Sequence, residues 1–181
     1  MTPYVALLRA INVGGRNMLP MKDLVAIFSA AGCGGVRPYI QSGNVVFEAG
    51  AALARRVPAL VEKAIADRFG FAAPVLLRTA DQMRAVAGGN PFLREGADPA
   101  TLHVAFLAEE PDPARVATLD PDRSPPDRFI VRGREIYLCF PKGVGRTKLG
   151  NQYFDSRLGT ASTVRNWRTV LKLLEMVSAQ R

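Results

Sequence analysis

Cysteine and histidine are nearly missing from this chain of 181 residues, which has two cysteines, Cys33 and Cys139, and one histidine, His103. Cysteines so far apart form neither a disulfide framework nor a paired metal motif, so a reducing cytoplasm is the expected compartment. Paired acids at catalytic spacing, a Ser–His arrangement and metal-ligand spacing are also lacking. No metal and no cofactor are therefore expected. Catalysis stays open, because arginine, asparagine and backbone donors can stabilise charge on their own. Long apolar runs are absent as well. The stretch from Phe71 to Leu77 falls far short of the ~20 residues a membrane span needs. Arg9 and Asn12 interrupt the short apolar stretch after Met-Thr-Pro-Tyr, so no secretory signal is expected.

Acidic residues are scarce too, 16 against 24 basic ones, for a net charge of +8. The excess is uneven. Residues 1–90 carry ten basic and five acidic side chains, 91–125 three and seven, and 126–181 eleven and four. Lys142 to Lys172 holds seven cations and a single anion, Asp155. A basic surface attracts polyanions, whether nucleic acid or phosphorylated small molecules. Codon bias accounts for the charge equally well, since nineteen cations are arginine beside twenty-five alanines.

Glycine (16) and proline (13) punctuate the chain into short elements. Tyr4 to Ile11 reads as a strand apolar on both faces. The turn Val13-Gly14-Gly15-Arg16-Asn17 follows it, and then a helix from Pro20 to Phe28 closed by Gly32. Val36–Gln41 and Asn44–Glu48 are strands joined by Ser42-Gly43. A second helix spans Val57 to Phe69, and Pro74–Arg78 is a fourth strand. This β-α-β-β-α-β order is the split βαβ unit of ferredoxin-like folds, which predicts an antiparallel sheet with the first strand central. Thr79 and Gln82 form a capping box for a short helix ending at Gly88-Gly89. Residues 88–100 read as a linker. Strands then follow at Leu102–Leu107, Phe129–Arg132 and Glu135–Phe140. Helices are read at Pro113–Leu119 and Asn151–Leu158, and a last one from Thr163 carries Val164, Trp167, Leu171, Leu174 and Val177 on one stripe. The expected class is α+β, with tandem split βαβ halves at 1–87 and 101–181, the second ending in basic helices.

In a split βαβ unit the end of the first strand, the start of the first helix and the β2–β3 hairpin share one end of the sheet. Arg9, Asn12, Gly14, Gly15, Arg16, Asn17, Gln41, Ser42 and Asn44 therefore converge. Glycines ahead of a helix N-terminus suit an anion. Asn17, Gln41 and Asn44 offer the donors and acceptors that a base, sugar or carboxamide requires. Turn geometry alone explains the same residues, with Arg9 as a buried structural cation.

The run Tyr4-Val5-Ala6-Leu7-Leu8-Arg9-Ala10-Ile11-Asn12-Val13-Gly14-Gly15-Arg16-Asn17, then Leu19-Pro20-Met21, then Tyr39-Ile40-Gln41-Ser42-Gly43-Asn44-Val45-Val46-Phe47, closely resembles a bacterial family, domain of unknown function 1697. Lys148-Leu149 and Thr163-Val164-Arg165-Asn166-Trp167 resemble its closing motif. The resemblance implies a two-part α/β fold and no established activity. Its members usually read Arg-Gly-Ile-Asn where this chain has Arg9-Ala10-Ile11-Asn12, so Ala10 departs from the pattern.

Other signals are weaker. Lys142-Gly143-Val144-Gly145-Arg146-Thr147-Lys148 approaches a phosphate loop but lacks its lysine and first glycine. Arg165, Arg168 and Lys172 read as a cationic helix stripe, most simply a solvated face. Lys148, Arg165 and Asn166 are candidate anion contacts. Trp167, His103 and both cysteines read as structural. Three functional readings follow. The first is an anionic or nucleotide-like small molecule at the Gly14-Gly15 loop and the Gln41–Asn44 hairpin. The others are a nucleic-acid module using the basic C-terminal third, and an interaction domain without ligand. The third strand lacks the aromatic platform of RNA-binding sheets, so tight nucleic-acid binding is not expected. A homo-oligomer is compatible with all three.

Overall fold

The computed structural model describes residues 1–179, which fall into two compact units, Met1–Arg84 with the chain from Lys172, and Ala85–Leu171. In the first, β1 (Thr2–Leu8), α1 (Met21–Ala30), β2 (Gly34–Tyr39), β3 (Asn44–Ala49), α2 (Ala51–Ala54), α3 (Val57–Phe69) and β4 (Val75–Thr79) follow in order. The sheet is antiparallel in the order β2-β3-β1-β4, so β1 is central as its doubly apolar sequence predicts. Val5, Ala6, Leu7 and Leu8 are all buried. Ala6, Leu8, Val45 and Phe47 share a core with Leu24, Ile27 and Phe28 of α1 and Val61 and Ile65 of α3. The apolar helix stripes thus cover one face of the sheet. Helix α1 stops because Gly32 takes φ +93°, letting the Gly32 and Cys33 amides bond the Ser29 and Phe28 carbonyls. The capping box forms as expected: the Thr79 amide donates to Gln82 Oε1 and the Gln82 amide to Thr79 Oγ1, opening α4 (Ala80–Gly88).

The second sheet contains β5 (Leu102–Leu107), β6 (Arg128–Arg132), β7 (Glu135–Cys139) and β8 (Ser162–Asn166), antiparallel in the matching order β6-β7-β5-β8. Helices α5 (Pro91–Arg94), α6 (Pro113–Val116), α7 (Asn151–Leu158) and α8 (Trp167–Ser178) complete the chain. Helix α5 lies within the stretch 88–100 and is capped by Asn90, which accepts from the Phe92 amide. The sequence reading needs correction at Thr163. Residues 163–166 belong to β8 and not to the last helix, because β-branched Thr163 and Val164 pair with Phe106 and Ala105 of β5. The second half therefore has the full β-α-β-β-α-β order.

That strand also moves Arg165 off any exposed helix face. Arg165 is buried, donates from Nη1 to Thr163 Oγ1 and the Val164 carbonyl, and burial pushes its guanidinium down to about 10. Arg78 occupies the same register in the first sheet. Arg78 pairs with Val5 and Arg165 with Val104, each donating to the carbonyl of the residue before it. Asn166 then caps α8 by accepting from the Thr169 amide, as Thr79 caps α4. The halves thus share a strand–arginine–cap–helix module. Trp167 is buried, as a core residue should be.

His103 lies against Phe140, with ring centroids 5.0 Å apart, and burial holds its pKa below the usual 6.5 despite a backbone contact with Thr101. The unfolded chain then binds the proton at a pH where the native chain does not, so stability falls as pH drops below about 6.5. We expect the unfolding free energy of the wild type, relative to His103→Phe, to be flat above pH 7 and to decline toward pH 5. A difference unchanged between pH 5 and 7 would show that His103 does not report on folding.

Among the described residues no helix is long and apolar enough to cross a membrane, and no group of three or more His, Cys, Asp or Glu side chains is placed to hold a metal.

Candidate functional site

Strand β1 ends at Leu8, three residues before the expected Ile11, and the reason is conformational. Ala10 and Asn12 adopt φ +57° and +53°, which no strand accommodates. Asn17 (+52°) and Ile40 (+48°) share the left-handed region, and these four are the non-glycine residues with positive φ among the described residues. All lie in two loops. A β-branched residue such as Ile40 in this region is a genuine outlier. Such conformations persist only where the surroundings enforce them, and they cluster at functional sites.

The enforcing contacts are local. Asn12 Nδ2 donates to the Leu19 carbonyl and to the Gln41 carbonyl, both at 2.9 Å, while its Oδ1 accepts from the Leu19 amide at 2.8 Å. One carboxamide thereby joins the β1–α1 loop to the β2–β3 hairpin. Asn17 Nδ2 donates to the Ala10 carbonyl, and the Asn12 amide to the Asn17 carbonyl. Between them Val13 and Arg16 form an isolated bridge around Gly14 (φ +58°) and Gly15 (φ +73°). Two positive φ values in a two-residue connection are those of a tight hairpin turn. The glycines therefore form the tip of a small finger, Asn12–Asn17, and do not lead straight into the helix as the sequence suggests. The first turn of α1 also carries its own anion, Asp23, paired with Arg68 at 2.8 Å.

The hairpin is a four-residue loop, 40–43, so Gln41 lies outside β2. The Leu8 amide donates to the Gly43 carbonyl at 2.7 Å. Asn44 is wholly buried and donates to the Tyr39 carbonyl and Ser42 Oγ, which gives it a fastening role. Arg9 is half-buried beside β4, its amide bonded to the Pro74 carbonyl. Gly14, Gly15, Arg16, Gln41 and Ser42 are exposed. Sequence reading missed the apolar part of this corner. Val13 (64% exposed), Met18 (58%) and Ile40 (51%) are among the few large hydrophobic side chains left in solvent. Only the positive φ values and the short strand reveal it. Of the other candidates, Lys148 is exposed on the turn before α7, Arg165 is buried in β8 and Asn166 is spent on its cap.

Residues 1–137 match the family described as protein of unknown function DUF1697. The chain belongs to the DUF1697 family. The matched region contains the whole finger and hairpin and ends before Lys148 and the β8–α8 segment. No curated protein matches the chain. A solved structure of a conserved bacterial protein from Streptococcus pneumoniae is similar over 98% of this chain and 99% of that one, with a TM-score of 0.72 and 24% identity. That likeness extends to the fold.

In this DUF1697 chain Ala10 stands where the family motif usually has glycine, and its φ of +57° supplies the reason for glycine there. A left-handed alanine costs about 1–2 kcal/mol, against ~0.5–1 kcal/mol of extra chain entropy for glycine. We expect Ala10→Gly to stabilise the protein by about 0.5–1 kcal/mol, read as a rise in thermal midpoint. An unchanged or lower midpoint would mean that the Ala10 methyl makes compensating contacts.

Proposed function

We propose that this protein works by binding, and that its ligand is an anionic, nucleotide-like small molecule held at the Asn12–Asn17 finger and the 40–43 hairpin. One observation carries the reading. The described non-glycine residues with positive φ are confined to these two loops, which Asn12 fastens together and which expose Val13, Met18 and Ile40 beside Arg16 and Gln41. Rigid loops lose little entropy on binding. Apolar tips suit a base or another flat apolar moiety, Arg16 suits an anionic group, and Gln41 supplies directional hydrogen bonds.

A thermal-shift screen of nucleotides and phosphorylated metabolites tests this. At least one class should raise the midpoint, and Arg16→Ala with Gln41→Ala should remove the shift while leaving far-UV circular dichroism intact. A panel that shifts nothing, or a shift that survives the double variant, would overturn the proposal. Tight nucleic-acid binding forms no part of it, since burial of Arg165 withdraws one cation from the basic C-terminal third. Scattered surface cations support non-specific affinities on the order of 10⁻⁴ M.

A further inference from the structure

A second cationic site lies in the second unit, on residues that the finger and hairpin do not use. A cleft of about 510 Å³ is bounded by Arg123, by the turn holding Thr147 and Lys148, and by the face of α7 that carries Gln152, Tyr153, Ser156 and Arg157. No acidic residue lines it. Among the described residues five surface cations take carboxylate partners, Lys63 with Asp67, Arg68 with Asp23, Arg84 with Asp81, Arg128 with Glu95 and Lys172 with Glu175, while exposed cations such as Arg55 and Lys142 take none. Arg123, Lys148 and Arg157 take none. Three cations facing one cleft repel each other, and an anion between them relieves that cost.

The site is also built. The Arg123 guanidinium lies over the Tyr153 ring, 4.1 Å from its centroid, and Nε donates to the Lys148 carbonyl at 3.2 Å. Tyr153 is fixed in turn, because its hydroxyl accepts from the Asp120 amide. The Lys148 amide donates to Ser124 Oγ, and buried Ser124 donates to Asp127 Oδ2 at 2.8 Å. Arginine is thus oriented through Nε and its ring face, and its two terminal nitrogens stay uncommitted. That edge is the fork that binds phosphate oxygens in bidentate fashion. Helix α7 begins at this cleft with Gly150, which caps no amide through a side chain, and has no acid in its first turn. In α1 the corresponding end carries Asp23.

We propose that this cleft binds the phosphate group of a small phosphorylated molecule, with Arg123 as the oriented fork and Lys148 and Arg157 as flanking charges. The volume accepts a ligand larger than a bare ion. Isothermal titration at fixed ionic strength, with inorganic phosphate and pyrophosphate as probes, gives the test. Saturable binding of at least one probe is expected, weakened about tenfold or more by Lys148→Gln with Arg157→Gln at an unchanged thermal midpoint. Arg123→Lys, which keeps the charge and loses the fork, should weaken it as well. Arg55→Gln, which removes an exposed cation outside both proposed sites, should leave it unaltered. No saturable binding, equal binding by the Lys148/Arg157 double variant, or loss through Arg55→Gln would each overturn the assignment.

Discussion

Gly43→Ala is expected to destabilise the protein by about 3–4 kcal/mol, nearly all of it local to the hairpin. Two costs combine. Gly43 sits at φ +78°, where a side chain costs about 1–2 kcal/mol. A methyl group there would lie 2.8 Å from Leu8 Cβ and 3.0 Å from Ile11 Cγ1. Both neighbours are buried and belong to the core beneath α1 and α3, so neither can withdraw cheaply. Overpacking of this kind costs typically about 1–3 kcal/mol. Gly14→Ala separates the terms. Gly14 has φ +58° with nothing near its added methyl, so its cost should stay at about 1–2 kcal/mol. Chemical denaturation of both variants decides the matter. Equal losses would show that the hairpin yields freely and that the close approach of Gly43 to β1 is not a constraint.

The second large effect belongs to Asn12. Removing its carboxamide deletes two donated bonds and one accepted bond, and strands the Leu19 amide and the Leu19 and Gln41 carbonyls. At ~1 kcal/mol for each bond, with a similar left-handed penalty for alanine, Asn12→Ala should cost about 3–4 kcal/mol. Because the bond to Gln41 joins the two loops, ligand-induced stabilisation should vanish in the same variant. Asn12→Gly loses the same bonds without the conformational penalty, so it should be about 1 kcal/mol more stable than Asn12→Ala. An Asn12→Ala protein that unfolds with the wild type would leave the loops independent, and the proposed site would lose its rigidity.

These two residues mark where local sequence stops being informative. Strand and helix positions were legible wherever periodicity and end signals agreed. The doubly apolar Tyr4–Leu8 segment became a central strand, Gly32 ended α1, and Thr79 with Gln82 opened α4. Where the β-strand and helix periods compete over a few residues, tertiary pairing decided. Thr163 to Asn166 fitted the apolar stripe of the last helix, but β5 offered an open edge, and pairing there buried Arg165. The chemistry of Asn12, Asn17 and Asn44 was visible as turn-forming and hydrogen-bonding residues. Their partners were not, because the bond from Asn12 to the Gln41 carbonyl crosses a separation that only the packed sheet closes. The same holds for Arg123, which sits in a proline-rich stretch without motif and meets Tyr153 and Lys148 only through folding.

By itself, the sequence determined the class of fold, the two-part repeat of β-α-β-β-α-β order short of its last strand, and the end of the first sheet at which polar loop residues collect. Periodicity, caps and turn residues act over a few positions, and those features need nothing longer. Tertiary structure decided that the glycine pair forms a finger, that Ala10 and Ile40 hold left-handed backbones, that Arg165 is buried, and that three cations share a cleft. Each of these depends on contacts between residues distant in sequence, and a one-dimensional pattern carries no record of which distant residues meet.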